Sequence, residues 1–282
     1  MAGYRNVAAY ARADEAGRTH FCSLRKVPSQ ASTAGHWVDL SMAAGNPKPQ
    51  YYAAAPLASQ VLDGFDGIFH GDAKAPATKH LTDFGLMTPS AGLVGRYSLL
   101  DYLLYYSFVD GDDLAPQVMT NAIPLPRDVT GEGVKVMAVV VAPAVGGGSF
   151  TFDYIDSDGI ARTSPVVTCN ATATGIASLL TSEASVGGVV FLPLAAGSRG
   201  VRRITGVTML TVSGGLFALV LVKPLCALAI REVNTMAEAN MITMFPALPP
   251  VPDGAYLGLI MNCASTVAGA TLTGYAKFAW SE

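Results

Sequence analysis

Charge is scarce in this chain. Of its 282 residues, 14% are Asp, Glu, Lys or Arg, against roughly 25% in ordinary soluble domains. Lys and Arg number 18 and Asp and Glu 21, for a formal net charge of −3. No basic field is present, so sequence-specific nucleic-acid binding is not expected. Long apolar runs are missing too. The longest, over 136–145 and 216–222, fall short of the roughly 18 apolar residues that a membrane-spanning helix needs, and no membrane partner is expected. The stretch from Met1 to Asn6 has no basic segment leading into an apolar one, so no secretory leader is expected.

Cysteine and histidine are equally thin. Cys22, Cys169, Cys226 and Cys263 are far apart with no CxxC pair. They read as reduced, structural thiols of a reducing compartment. His20, His36, His70 and His80 all lie in the first 80 residues. His70, Asp72 and His80 offer three metal ligands in principle, but the spacing fits no ligand signature, and hydrogen-bonding roles are preferred. Asp110, Asp112 and Asp113, like Asp153, Asp156 and Asp158, sit in Gly-containing turns. Neither group has the twelve-residue calcium loop with its terminal Glu. The chain also lacks a Gly-x-Ser-x-Gly elbow, a His-Glu-x-x-His helix, a Lys-Ser/Thr phosphate loop and a Rossmann glycine fingerprint. The reading is therefore a non-enzyme: no catalytic, cofactor-binding or metal residues are assigned and no cofactor is expected.

What the chain does have is apolar content (51%) with 29 Gly and 17 Pro. From about residue 126 onward, short Val-, Ile- and Phe-rich runs alternate with Gly turns. The run Phe150-Thr-Phe-Asp-Tyr-Ile155, the turn Asp156-Ser-Asp-Gly159 and the return over 161–169 predict a hairpin. A second hairpin is predicted from 204–212 through Ser213-Gly-Gly215 into 216–222, and further strands at 134–142, 255–261 and 270–280. The periodicity of Leu99, Leu100, Leu103, Leu104 and Phe108 predicts a short helix, and 176–182 and 225–239 are further helical candidates. The fold class expected is mainly β: an antiparallel, jelly-roll-like β-sandwich over 126–282. Before it, 1–125 is expected to form an irregular, extended or mixed region. Within that region 1–56 reads as an arm, dispensable for folding and used for assembly.

Candidate contact residues are Trp37, Tyr51 and Tyr52 on the arm and the basic cluster Arg199, Arg202 and Arg203. Arginine suits interface pairs with carboxylates, so an intersubunit Arg–Asp contact is expected. A charge placed at Tyr51 or Tyr52 is expected to weaken assembly and spare the fold.

Several blocks carry a resemblance. The stretch from Lys26 through His36-Trp-Val-Asp-Leu40 to Tyr52 resembles virion proteins of tailed bacteriophages. So do Gly67-Ile-Phe-His-Gly-Asp72, Asp101-Tyr-Leu-Leu-Tyr-Tyr106 and Ser149-Phe-Thr-Phe-Asp-Tyr-Ile-Asp-Ser-Asp-Gly159. The resemblance implies a structural protein of the particle, either minor capsid or head decoration, with no catalytic residues to carry over. It implies partners in further copies of the chain (a homo-oligomer) and in other virion proteins such as the major capsid protein. The location implied is the virion, assembled in the host cytoplasm. The alternative is a carbohydrate-binding or adhesion module of a tail or fibre, with Trp37, Tyr51 and Tyr52 stacking on sugar. A hydrolase ranks third.

Overall fold

A computed structural model of the chain describes residues 7–28, 34–144, 146–173, 175–181, 190–244, 247–265 and 268–281. Its strands in the first half are β1 (Thr19–Val27), β2 (Trp37–Asp39), β3 (Ala44–Asn46), β4 (Ser59–Gln60), β5 (Lys79–Met87), β6 (Gly95–Asp110), β7 (Gln117–Val118) and β8 (Lys135–Ala142). In the second half follow β9 (Ser149–Asp156), β10 (Ala161–Thr163), β11 (Val167–Thr168), β12 (Val201–Thr211), β13 (Leu216–Ile230), β14 (Ala237–Asn240), β15 (Pro250–Val251), β16 (Tyr256–Cys263) and β17 (Leu272–Trp280). Two α-helices, α1 (Val7–Glu15) and α2 (Met241–Met244), and three single 3-10 turns at Leu40–Met42, Gly64–Asp66 and Ala91–Leu93 complete the described elements. The protein is mainly antiparallel β, as its sequence pattern predicts.

The strands form three sheets. The middle one runs β2-β16-β6-β13-β8, with β4 on β6. One outer sheet runs β14-β5-β17-β1-β3, with β15 on β5; the other runs β10-β9-β12-β7, with β11 on β9. The middle sheet is closed on itself. Segment 177–180 pairs with β2 on one side and β8 on the other, through bridges Val38–Ser178 and Val139–Leu179. Its hydrogen bonds include Leu179 N to Trp37 O at 2.9 Å, Asp39 N to Ala177 O at 2.8 Å and Val140 N to Ser178 O at 2.9 Å. The registers put Ala218 opposite Val139 and Leu228 opposite Tyr97. The ring thus closes with a stagger of roughly ten residues along β13, the shear that a small tilted barrel requires.

Alternation along these strands sends one set of side chains into the ring. Met137, Val139, Val220, Val222, Tyr102, Tyr256, Ile260 and Leu179 belong to it, all buried. The other set faces outward to the flanking sheets. Leu99, Leu257 and Leu259 pack with Leu24, Leu81, Phe84, Leu86 and Phe278 of the first outer sheet. Further along the same strands, Leu104, Tyr106, Ala138, Leu219 and Leu221 pack with Phe150, Phe152, Tyr154 and Val207 of the second. Asp101 lies on β6 where its cover changes from one outer sheet to the other. There it accepts from the Arg127 guanidinium, which also donates to the carbonyls of Tyr102 (2.9 Å) and Gly254 (3.1 Å).

The structure corrects several expectations. The segment read as a helix around Leu99–Leu104 is strand β6, covered on both faces. A strand buried on both sides shows no period-2 pattern, so its Leu and Tyr residues imitate helical spacing. The candidate helix at 225–239 is the end of β13 followed by β14, and the one at 176–182 contains the ring-closing segment, with residue 182 outside the described residues. Pro224 is accommodated in β13 because the register slips there and pairing with β8 stops at Val222, opposite Lys135. The expected β9–β10–β11 hairpin is present, but β12 and β13 do not pair with each other. The turn Ser213-Gly-Gly215 carries the chain from the second outer sheet into the middle one. Gly215 needs both its positive φ of 65° and its missing side chain there, since a Cβ would lie 2.4 Å from the Pro143 carbonyl oxygen.

The expected boundary at 125/126 does not follow the sheets. Strand β1 lies between β17 and β3, β2 pairs with β16, and β6 lies between β16 and β13. Residues of 1–125 therefore contribute strands to all three sheets, β7 forming an edge of the second outer one. Removing 1–56 takes away β1, β2 and β3, and the shortened chain is expected to lose its cooperative melt and its near-ultraviolet circular dichroism. A folded truncated protein in that experiment would contradict the pairing described.

Candidate interaction surface

Trp37, Tyr51 and Tyr52, grouped as arm aromatics by the sequence, separate. Trp37 and Tyr52 are buried in the core and only Tyr51 is exposed, at 57%. The sugar-stacking triplet therefore does not form. Tyr52 instead belongs to a polar cluster inside the ring. Its hydroxyl donates to Asp39, and Tyr102 donates to the same carboxylate at 2.8 Å, as does the Ser41 amide at 2.8 Å. Ser41 Oγ lies 3.1 Å from the Tyr52 hydroxyl. Burial pushes the Asp39 carboxyl above the usual carboxylate range, against the pull of these donors. Burial, reinforced by Asp39, holds Tyr52 and Tyr102 well above the ordinary phenol value. Asp39 thus accepts from both phenols and the Ser41 amide. An aspartate at position 52 would set a second carboxylate beside the first and disrupt the ring, so the expected harmless Tyr52 substitution is corrected.

The histidines also take structural roles. His36 lies 2.9 Å from Thr172 Oγ1. His70 is buried, with Nε2 3.0 Å from the Ala255 carbonyl oxygen. Burial, with Lys79 and Arg127 nearby, lowers the His70 pKa to about 4, opposed by the Ala255 bond and Asp253. Lys79 itself is buried, 3.0 Å from Asp253 Oδ1, and donates to the carbonyls of Gly71 and Asp72. Among the described residues no group of three His, Cys, Asp or Glu is placed to hold a metal. Burial raises the thiols of Cys22 and Cys169 to about 11 and that of Cys226 to about 12.

The arginine cluster divides as well. Arg199 is exposed and bridges Asp158 (2.7 Å) and Glu132 (3.2 Å) of its own chain. The expected Arg–Asp contact therefore exists for Arg199, but it is intramolecular. Arg202 donates to the carbonyls of Thr130 and Ser157. Arg203 is exposed.

The surface feature that sequence reasoning missed is aromatic. In Gly64-Phe-Asp-Gly-Ile-Phe69, Asp63 Oδ1 caps a short 3-10 turn by accepting from the Phe65 amide at 3.0 Å. Both glycines press against the backbone at β16. A Cβ on Gly64 would lie 2.7 Å from Gly254 C, and one on Gly67 2.7 Å from Leu257 N. Ile68 donates its amide to Leu257 O at 2.8 Å and buries its side chain. With Ile68 inward, Phe65 and Phe69 face out, 72% and 41% exposed, their rings stacked at 6.2 Å. The His20 ring stands edge-on to Phe69 at 5.2 Å. On the neighbouring outer sheet Phe21, 61% exposed, stacks on Tyr275 at 5.4 Å. The signal available in the sequence was the Gly-x-x-Gly spacing around one Phe with a second Phe two residues on.

Searches against protein families and curated proteins give no match. Among solved structures the chain is similar to that of infectious bursal disease virus Gt strain, with 10% identity over 93% of this chain and 80% of the other and a TM-score of 0.19. The Gx strain gives 11% identity over 93% and 80% with a TM-score of 0.17. The crystal structure of the infectious bursal disease virus VP2 subviral particle gives 9% identity, the same coverage and a TM-score of 0.17. Likeness of that size carries no argument about fold or function.

Two outcomes follow from the buried groups. Asp39→Ala strands three buried donors at roughly 1–3 kcal/mol each. It is expected to cost on the order of 3 kcal/mol or more, read by urea denaturation. For His70, the folded state resists protonation while the unfolded chain takes a proton near pH 6.5, so stability falls as pH drops from about 6.5 to about 4. The full window is worth about 3 kcal/mol at ~1.4 kcal/mol per unit. Urea titrations at pH 6.5 and 4.5 are expected to show a smaller pH loss in His70→Gln than in the parent; equal losses would remove His70 as the cause.

Proposed function

We propose that this chain is a structural component of a tailed-bacteriophage particle, capsid-associated as a minor capsid or head-decoration protein, and that it acts through contacts with copies of itself and with other virion proteins. The observation that carries the reading is the aromatic surface of Phe65 and Phe69. Large apolar rings held rigidly in solvent by glycine contacts and a buried Ile68 anchor are suited to burial against another protein surface. The sequence blocks that resemble phage virion proteins support the same reading, and one of them, Gly67 to Asp72, contains Phe69. Low overall charge (14%) adds to it, because charged residues are depleted at interface cores. The ionic pairs described inside the fold, Asp101 with Arg127 and Lys79 with Asp253, serve its packing.

Phe65→Asp and Phe69→Asp place a carboxylate where the partner would desolvate it. Each is expected to shift native-mass or sedimentation profiles toward the monomer, or to abolish attachment to particles lacking the protein. The thermal midpoint should stay within a few degrees, since the rings lie outside the core. Tyr51→Asp tests the adjoining chain in the same way. Unchanged assembly and attachment in all three would overturn the reading.

A further inference from the structure

A cavity of 410 Å³ opens between the loop ahead of β8 and the start of β12, lined by Ile123, Leu125, Val129, Ile155, Arg202 and Arg203, among others. Its size falls within the range of about 300–1,000 Å³ typical of small-molecule sites. Its two arginines are neighbours in a strand and would ordinarily point to opposite faces. They line the same cavity because the β12–β9 register slips between Val201 and Arg203. A bulge of this kind re-aims side chains and recurs beside functional sites.

The charges around the cavity are already spoken for, with these two exceptions. Asp158 and Glu132 pair with Arg199, Asp156 pairs with Arg162, and Asp128 pairs with Lys223. Arg202 is fixed by the Thr130 and Ser157 carbonyls through Nε and Nη2, while its Nη1 makes no hydrogen bond among the described residues. Arg203 lies opposite Ile155 in the strand pair, and its side chain makes neither hydrogen bond nor ion pair among the described residues. The wall facing the arginines is held in place. Asn121 donates to Ile204 O at 2.8 Å and accepts from the Tyr106 hydroxyl at 2.7 Å, and the Ile123 amide donates to Ser59 Oγ at 2.9 Å. Two cations without carboxylate partners thus line a preformed hollow whose walls are part polar and part apolar.

We propose that this cavity binds a small amphiphilic anion: a carboxylate, sulfonate or phosphate group held by Arg203 and the Arg202 Nη1, joined to an apolar body that packs on Ile123, Leu125 and Val129. Guanidinium forks match such oxyanions in geometry. The cavity lining includes neither Phe65 nor Phe69, and the site does not depend on the structural role proposed above.

The probe is 8-anilinonaphthalene-1-sulfonate, followed by fluorescence titration beside its uncharged counterpart N-phenyl-1-naphthylamine. The sulfonate is expected to saturate at one per chain and to bind more tightly than the neutral compound. Arg203→Gln should weaken the sulfonate at least tenfold and change the neutral compound less than twofold, with an unaltered thermal melt. Phe65→Ser, which removes an exposed ring that is no part of the cavity lining, should leave the sulfonate titration unchanged. Non-saturable binding, equal affinity for the two dyes, insensitivity to Arg203→Gln, or loss of binding in Phe65→Ser would each overturn the proposal.

Discussion

The closure of the middle sheet is the constraint on which the rest depends. Five strands do not complete the ring by themselves; segment 177–180 does so by hydrogen bonding to β2 and β8 at once. Closure removes the free edges of the largest core element. It also fixes a distinct inside and outside, so the ring's two faces can serve different purposes. The inside holds its own apolar filling and the Asp39 cluster. The outside is shared by two sheets that pack on successive lengths of the same long strands. Neither outer sheet covers the whole of β6 or β13, which explains why those strands are so long and slip register three times.

Two polar groupings sit where this plan changes. Asp39 gathers Tyr52, Tyr102 and Ser41 inside the ring, tying the chain after β2 to β6. Asp101 and Arg127 occupy the seam between the two outer apolar clusters. Removing one partner of such a buried pair is far more damaging than replacing both with apolar groups. Each grouping ties together parts of the chain distant in sequence.

The mainly-β class and most strands beyond residue 126 were legible because Gly turns and period-2 runs survive where one face of a strand is less buried, as in β9. Strand β6 was illegible as a strand because both its faces are covered. In β1 and β5 the obstacle was polar residues in buried positions. Lys26 reaches the carbonyls of Ala43 and Pro47, and Lys79 reaches Asp253 and two further carbonyls. Such lysines look like surface until their non-local partners are known. The same limit governed the contact residues. Trp37 and Tyr52 stand among Gly, Pro, Ser and Ala, a context that suggests exposure, yet the ring buries them. Which of Phe65, Ile68 and Phe69 turns inward is decided by how Gly64 and Gly67 meet the backbone at β16, and local spacing holds no record of that contact.

The two glycines under the Phe65 turn have a thermodynamic consequence. Because the turn is fixed against β16 during folding, its conformational entropy is already lost when another surface arrives. A flexible loop carrying the same rings would surrender that entropy on docking and keep only the surplus. Docking there would escape that ordering cost but still lose rigid-body freedom. Its calorimetric mark is a negative heat-capacity change set by the covered apolar area alone, without the larger increment that accompanies coupled folding.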